Sequence, residues 1–311
     1  MKRSGLLTFL IIFTALIFIG RLFYLQILNN SYAVPVLNSS AVKITYDYPE
    51  RGYVYDRNGT LLIANQLSYD IMVIPREVKP LDTLEFCSLL KITKKDFIKK
   101  FEKATHYSTR IPSPFLVQLS KNDYAYLQEK MHKFKGFYII KRSLREYPIN
   151  AAPNVLGYIS EVNESMIKKN PYYQLGELIG TAGIETTYED ILRGTKGVKY
   201  IQKDRFNKEI GSYKNGIYDT IPVPGRDITL TLDSRLQQYG EALMVNKRGG
   251  IVAIEPSSGE ILALVSTPTF DPNLMVGRER SKNFTKLYLD TINNPLLDRG
   301  LQGEYPPGSP F

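Results

Sequence analysis

Ser309 is the residue of this chain whose type and setting point most directly to chemistry. It follows Tyr305-Pro306-Pro307-Gly308 and precedes Pro310. Paired prolines cannot continue a helix, a glycine frees one backbone angle, and Ser-Pro is a favoured cap and first-turn pair. The segment therefore reads as a tight loop setting a serine at the start of a helix. A serine hydroxyl is a weak nucleophile until a neighbouring base takes its proton, and in a Ser-x-x-Lys arrangement a lysine one turn along supplies that base. Its place here is residue 312, one beyond Phe311. The same stretch also suits an ordinary helix start or a polar tail, so the evidence must come from the elements that would position it.

Upstream of Ser309, Gly250–Ile254 and Ile261–Val265 read as apolar strands joined by Glu255–Glu260. Runs this apolar predict a central sheet covered on both faces. Before them, Asp233 or Ser234 caps a helix with Leu236, Tyr239 and Leu243 on one face, preceded by a strand over Ile228–Leu232. The Pro- and Gly-containing stretch 214–227 marks a domain boundary. Gly180–Gly197 is glycine-punctuated, with a short helix over Thr186–Leu192 ended by Gly194. It holds no Gly-x-Gly-x-x-Gly and no Gly-Lys-Ser/Thr, which argues against a nucleotide cradle. Residues 136–160 have a strand pattern and residues 81–135 a helical one, with capping boxes at Thr93–Asp96 and Ser120–Asp123. Arg51–Ala64 reads as a hairpin turning at Asn58-Gly59 through a two-residue type I′ turn. Residues 29–49 read as an extended, strand-rich exit from the N-terminal run.

That N-terminal run is the strongest physical signal. Lys2 and Arg3 precede an apolar stretch from Gly5 to Leu28, broken only by Arg21 and Gln26 near its outer end. About 20 apolar residues span a bilayer, and basic residues stay on the cytoplasmic side. Ile19-Gly20-Arg21-Leu22 offers no small-x-small cleavage site, so a retained anchor is expected rather than a signal peptide. The 311 residues carry a net charge of +9, yet 40 basic residues are scattered among 31 acids, and no basic stripe interleaved with exposed aromatics points to nucleic acid. Cys87 is the one cysteine, so no disulfide forms within the chain. His106 and His132 stand alone, without metal-ligand spacing.

Taken together, the anchor, Arg51-Gly52 through Asp56-Arg57-Asn58-Gly59, Arg145-Glu146-Tyr147-Pro148, Gly157-Tyr158, Gly180–Gly194, Leu230-Thr231-Leu232-Asp233 with Leu236-Gln237, Pro256–Gly259 and Tyr305–Ser309 follow one another in an ordered series. In that order they resemble the class B penicillin-binding proteins, in particular those of rod elongation. The resemblance implies an α+β chain. A cytoplasmic tail covers 1–4 and a single transmembrane helix 5–28. A β-rich pedestal (dimerisation) domain with a helical insertion covers 29–225. The truncated start of a serine β-lactamase-like transpeptidase domain covers 226–311.

The resemblance also implies an inner-membrane protein with most of its chain extracytoplasmic. Its activity would be a D,D-transpeptidase crosslinking peptidoglycan stem peptides that end in D-Ala-D-Ala. Ser309 would be its acyl-ester nucleophile and the residue acylated by β-lactams. No cofactor or metal is implied. The implied partners are the membrane, a SEDS-family glycan polymerase and elongation scaffold proteins, with no nucleic acid. The family's Ser-x-Asn and Lys-Thr-Gly motifs do not occur after Ser309, so the chain reads as an N-terminal fragment, inactive as it stands and with exposed apolar faces over 228–311. Two other readings use the same residues: a non-catalytic pedestal regulating a glycan polymerase, and a β-lactam sensor.

Overall fold

The computed structural model describes residues 3–24, 41–110, 112–119, 121–174, 176–205 and 209–306. Ser309, most of the 29–49 exit, the end of the predicted anchor and Ser120 of the second capping box lie outside them. Helix α1 (Arg3–Phe23) opens the chain. Among the described residues no helix is long and apolar enough to cross a membrane, the unbroken series of described side chains in α1 beginning only at Ile11.

Strands β1 (Val42–Asp47), β2 (Val54–Tyr55) and β3 (Leu61–Val73) follow. Helix α2 (Thr83–Leu90) starts where Asp82 accepts the N–H groups of Leu84 and Glu85 at 2.9 and 3.1 Å. Helix α3 (Lys94–Tyr107) starts where Thr93 accepts from Asp96 N, as its capping box predicts. Next come β4 (Ser113–Leu119), α4 (Lys121–Gln128) and β5 (Phe137–Glu146). The segment from Pro153 to Leu192 holds short pieces: α5 (Pro153–Leu156), β6 (Ile159–Glu161), α6 (Glu164–Lys169), β7 (Leu178–Gly180), α7 (Gly183–Thr187) and α8 (Glu189–Leu192). Then come β8 (Gly197–Lys203), β9 (Glu209–Ser212), β10 (Ile228–Thr229), α9 (Ser234–Leu243), β11 (Gly249–Ile254), β12 (Ile261–Thr267), α10 (Arg280–Leu289) and α11 (Arg299–Gln302).

The chain divides into two compact units. One takes residues 1–49 and 195–223 and holds the antiparallel sheet β1-β8-β9, with Val42 opposite Gln202 and Asp47 opposite Gly197. The other takes 50–194 and 224–311. Its main sheet runs β10-β2-β3-β4, with β5 paired along β3 and β10 parallel to β2. Helices α2–α4 close over β3–β5 on an aromatic core in which Phe86 lies 4.6 Å from both Phe134 and Phe137, ring centre to ring centre. Packing of this kind fixes the insertion more firmly than helix propensity does. A second core joins Val54, Ile63, Tyr147, Leu156, Leu192 and Leu232.

Several expectations change. The hairpin at Asn58-Gly59 is not a two-residue turn: Asp56 N donates to Thr60 O, Gly59 alone has positive φ there, and the register shifts beside Tyr55. The Asp56 carboxylate draws the loop wider by accepting from Asn58 N and Thr60 N. The single helix expected over Thr186–Leu192 is two, broken at Tyr188 with φ −107° and ψ 23°. On α9 the packed side is Ser234, Gln237 and Gly240, while Leu236, Tyr239 and Leu243 are exposed. The reason is closeness: a Cβ on Gly240 would sit 2.8 Å from Val265 Cγ2, too near for the predicted apolar side to face the strand. Covering of the hairpin sheet is uneven, for β12 is buried continuously from Ala263 to Thr267 whereas β11 alternates between half-buried and exposed.

Candidate acyl-transfer site

The elements that precede Ser309 in the chain are built on β12. Leu264 offers its N–H and C=O away from β11, and Gln237 of α9 takes both, accepting from Leu264 N at 2.8 Å and donating to Leu264 O at 3.0 Å. The same amide donates to Glu241, which in turn accepts Ala152 N at 2.7 Å. Two residues on, Ser266 Oγ donates to Leu297 O and accepts Arg299 N, at 3.0 and 2.9 Å. Asp298 caps α11 through Gly300 N and Leu301 N. The Arg299 guanidinium, buried, donates to the carbonyls of Asn293 and Asn294. Gly250 and Gly300 let α11 lie directly on the hairpin, since a Cβ on Gly250 would come 3.0 Å from Gly300 N. From this fixed point residues 303–306 lead on toward Ser309.

The Asp56 loop holds the other side of α9. Asp56 is fully buried and accepts from Ser234 Oγ at 2.7 Å, from Ser234 N at 3.2 Å, and from the loop amides of Asn58 and Thr60. Burial alone would raise its pKa; the hydrogen bonds, led by that of Ser234, outweigh it and hold the carboxyl down at about 2. Asp233 caps α9 and also accepts from Asn58 Nδ2 at 3.1 Å. The Asp56–Gly59 motif is thus the socket for the start of α9.

Beneath lies a buried charge cluster. The Arg51 guanidinium donates to Glu185 Oε2 at 2.6 Å and to both oxygens of Glu189. Arg145 donates to Glu185 Oε1 at 2.6 Å and to Gly52 O and Asn65 Oδ1, both at 2.8 Å. Tyr173 OH and Gly180 N complete Glu189. Burial pushes the Glu189 pKa up, and the Arg51 hydrogen bond and charge bring it below the usual carboxylate range. Burial, foremost, lowers that of Arg145. Two cations and two carboxylates balance, which is the condition for burying charge at all. Tyr147, buried beside them, donates to Gly157 O, and its backbone pairs reciprocally with the Asn273 side chain.

The motif residues of Arg51–Gly59, Arg145–Tyr147 and Gly180–Gly194 are therefore brought together, though none carries acyl chemistry. Glu185 and Glu189 lie within the glycine-punctuated Gly180–Gly194 stretch, and nothing in their local sequence assigns them a partner. The signal was present in part: two acids four residues apart in a glycine-punctuated stretch.

Against known proteins, the penicillin-binding protein dimerisation domain matches residues 46–230 and the penicillin-binding protein transpeptidase domain matches 249–311. The chain belongs to the class B penicillin-binding proteins. It is 35% identical over 320 aligned positions to the peptidoglycan D,D-transpeptidase MrdA of Escherichia coli strain K12, covering 99% of this chain and 49% of that protein. The chain thus spans about half the length of the curated relatives it matches. Among solved structures, penicillin-binding protein PBP2 from Helicobacter pylori in complex with MreC superposes with a TM-score of 0.68 at 25% identity, over 83% of this chain and 49% of that one. A peptidoglycan synthase complex that coordinates polymerization and crosslinking matches with a TM-score of 0.55 at 25% identity, over 96% of this chain and 52% of that one.

Proposed function

We propose that this chain supplies the membrane anchor, pedestal and nucleophile-bearing start of a peptidoglycan D,D-transpeptidase of the rod-elongation type. The observation that carries the reading is the similarity to MrdA along 99% of the chain, from the anchor region to the Ser309 segment. In this reading residues 29–225 are the pedestal and 226–311 begin the catalytic domain. Ser309 Oγ attacks the carbonyl carbon of the penultimate D-Ala. The O–C bond forms, the peptide C–N bond breaks, and terminal D-Ala leaves with the proton taken from the serine. An amine of a neighbouring stem then attacks the ester, forming the crosslink and returning the proton to Ser309. A lysine one turn beyond Ser309 is the base that removes that proton. The role of the described residues is support: Gln237, Ser266 and Arg299 fix α9, β12 and α11, the elements that precede Ser309 in the chain.

The test is labelling by a fluorescent penicillin of protein extended to the length of its relatives. Labelling on Ser309 that Ser309→Ala abolishes is the expected result. Labelling that survives Ser309→Ala refutes the assignment.

The anchor reading rests on the Gly5–Leu28 run behind Lys2 and Arg3 and on the helical course of α1. It sets residues beyond 28 outside the inner membrane. A reporter active only outside the cytoplasm, fused after residue 60, should be active; an inactive fusion or a cleaved N-terminus overturns it. A partner-regulating role for the pedestal is favoured by the similarity to PBP2 solved with MreC and to the synthase complex. It predicts that residues 1–225 bind a scaffold protein or glycan polymerase without the catalytic domain.

A further inference from the structure

A cleft of about 660 Å³ lies within the larger unit, walled by the end of β4, by β6 and β7, by α6 and by the start of α10. Its charge is unbalanced. Lys100 of α3, Arg278 and Arg280 all line it. Arg280 is half-buried, its Nε is buried without a hydrogen-bond partner, and its guanidinium rests over the Tyr158 ring at 5.3 Å. Lys100 and Arg278 form no ion pair among the described residues. Burial foremost, and then the Arg278 charge, lower the Lys100 pKa. Of the acids lining the cleft, Glu279 is engaged with Lys282 at 3.2 Å, and Glu161 faces Arg280 without reaching ion-pair distance. Beside the cations run half-buried Met166, Leu178 and Phe284. Gln118, on the cleft wall, holds φ at 60°, a left-handed backbone that a non-glycine residue adopts only when its surroundings impose it.

A buried guanidinium N–H without an acceptor, the Nε of Arg280, is costly, and Lys100 and Arg278 repel each other. A bound carboxylate removes both penalties. The volume falls within the range that buries a ligand of several residues, far more than one inorganic anion fills, and the apolar strip would stay wet beneath a simple anion. We propose that this cleft docks an acidic peptide segment of a partner protein, its carboxylates meeting Arg280, Arg278 and Lys100 and its apolar side chains covering Met166, Leu178 and Phe284. The site is independent of acyl transfer at Ser309.

The test is fluorescence anisotropy on the purified chain in detergent micelles. The probe is a labelled peptide alternating Glu and Leu; the control alternates Lys and Leu; inorganic phosphate serves as competitor. The acidic peptide is expected to bind and the basic one to fail. Arg280→Gln and Lys100→Gln should each weaken binding about tenfold, the size of a lost charge-assisted hydrogen bond, with the melting curve unchanged. Arg280→Lys should fall between wild type and Arg280→Gln. Equal binding of both peptides, indifference to Arg280→Gln in a folded variant, or full displacement by equimolar phosphate would each overturn the proposal, the last reducing the cleft to a simple anion site.

Discussion

Glu185→Gln is the sharpest perturbation of the buried charge cluster. Glu185 is fully buried and takes Arg51 on one oxygen and Arg145 on the other, both at 2.6 Å. Replacing it with an isosteric amide keeps the volume and removes the charge. Arg51 retains Glu189, while Arg145 is left with only the neutral acceptors Gly52 O and Asn65 Oδ1. Breaking a buried ion pair from one side typically costs about 3–5 kcal/mol, because an uncompensated charge stays behind. At about 2–4 °C per kcal/mol for a domain of this size, the melting temperature should fall by roughly 6–20 °C. Calorimetry of the detergent-solubilised chain, backed by urea midpoints, measures it. Arg145→Met combined with Glu185→Met should recover a large part of the loss, since apolar groups of similar volume replace a buried pair at little penalty. A loss under about 1 kcal/mol, the size expected for solvent-exposed pairs, would refute the reasoning by placing the cluster in effective contact with water.

Acid should unfold the chain partly through Asp56. Its folded pKa, about 2, lies below the unfolded value of 3.8, so the stability it contributes is present above pH 3.8 and lost as pH falls toward 2. The contribution is about 2 kcal/mol. Asp56→Asn should therefore flatten unfolding free energy between pH 5 and 2 by that amount, and parallel profiles for the two proteins would rule it out. Gln237→Leu strips Leu264 N and O of their partners and should destabilise by about 1–3 kcal/mol for each group left dry. Hydrogen exchange at Leu264 should quicken with it, and unchanged exchange would show that water already serves that edge.

Local features of this fold were legible in the sequence. Thr93 capped α3, the strand pattern of Phe137–Ile140 lies within β5, and the apolar runs beyond Gly249 became β11 and β12, because caps and periodicity act over a few residues. The Arg51–Glu185–Arg145–Glu189 cluster was not legible: buried acids look like surface acids until partners 134 and 138 residues away are known. The face of α9 was misjudged for a related reason. Leu236, Tyr239 and Leu243 are its apolar residues, but Gln237 has a strand edge to satisfy and Gly240 a strand to approach. Ser309 was singled out through the sequence around it, and residues 307–311 lie outside the described ones.

The long separations within the buried cluster set an order of events during synthesis. Arg51 and the β2–β3 hairpin emerge first, yet Glu185 arrives 134 residues later and Ser234, which completes Asp56, 178 residues after it. At about 5–20 residues per second, the interval between Arg51 and Glu185 is on the order of ten seconds, far beyond the microseconds a hairpin needs to close. Throughout that time β3 presents Leu62 and Ile63 without Leu192 and Leu232, which complete their core, whereas Ile71 gains its partners once Phe137 is made. Slow translation between residues 51 and 185 should therefore raise the aggregation of the new chain more than an equal pause after residue 234.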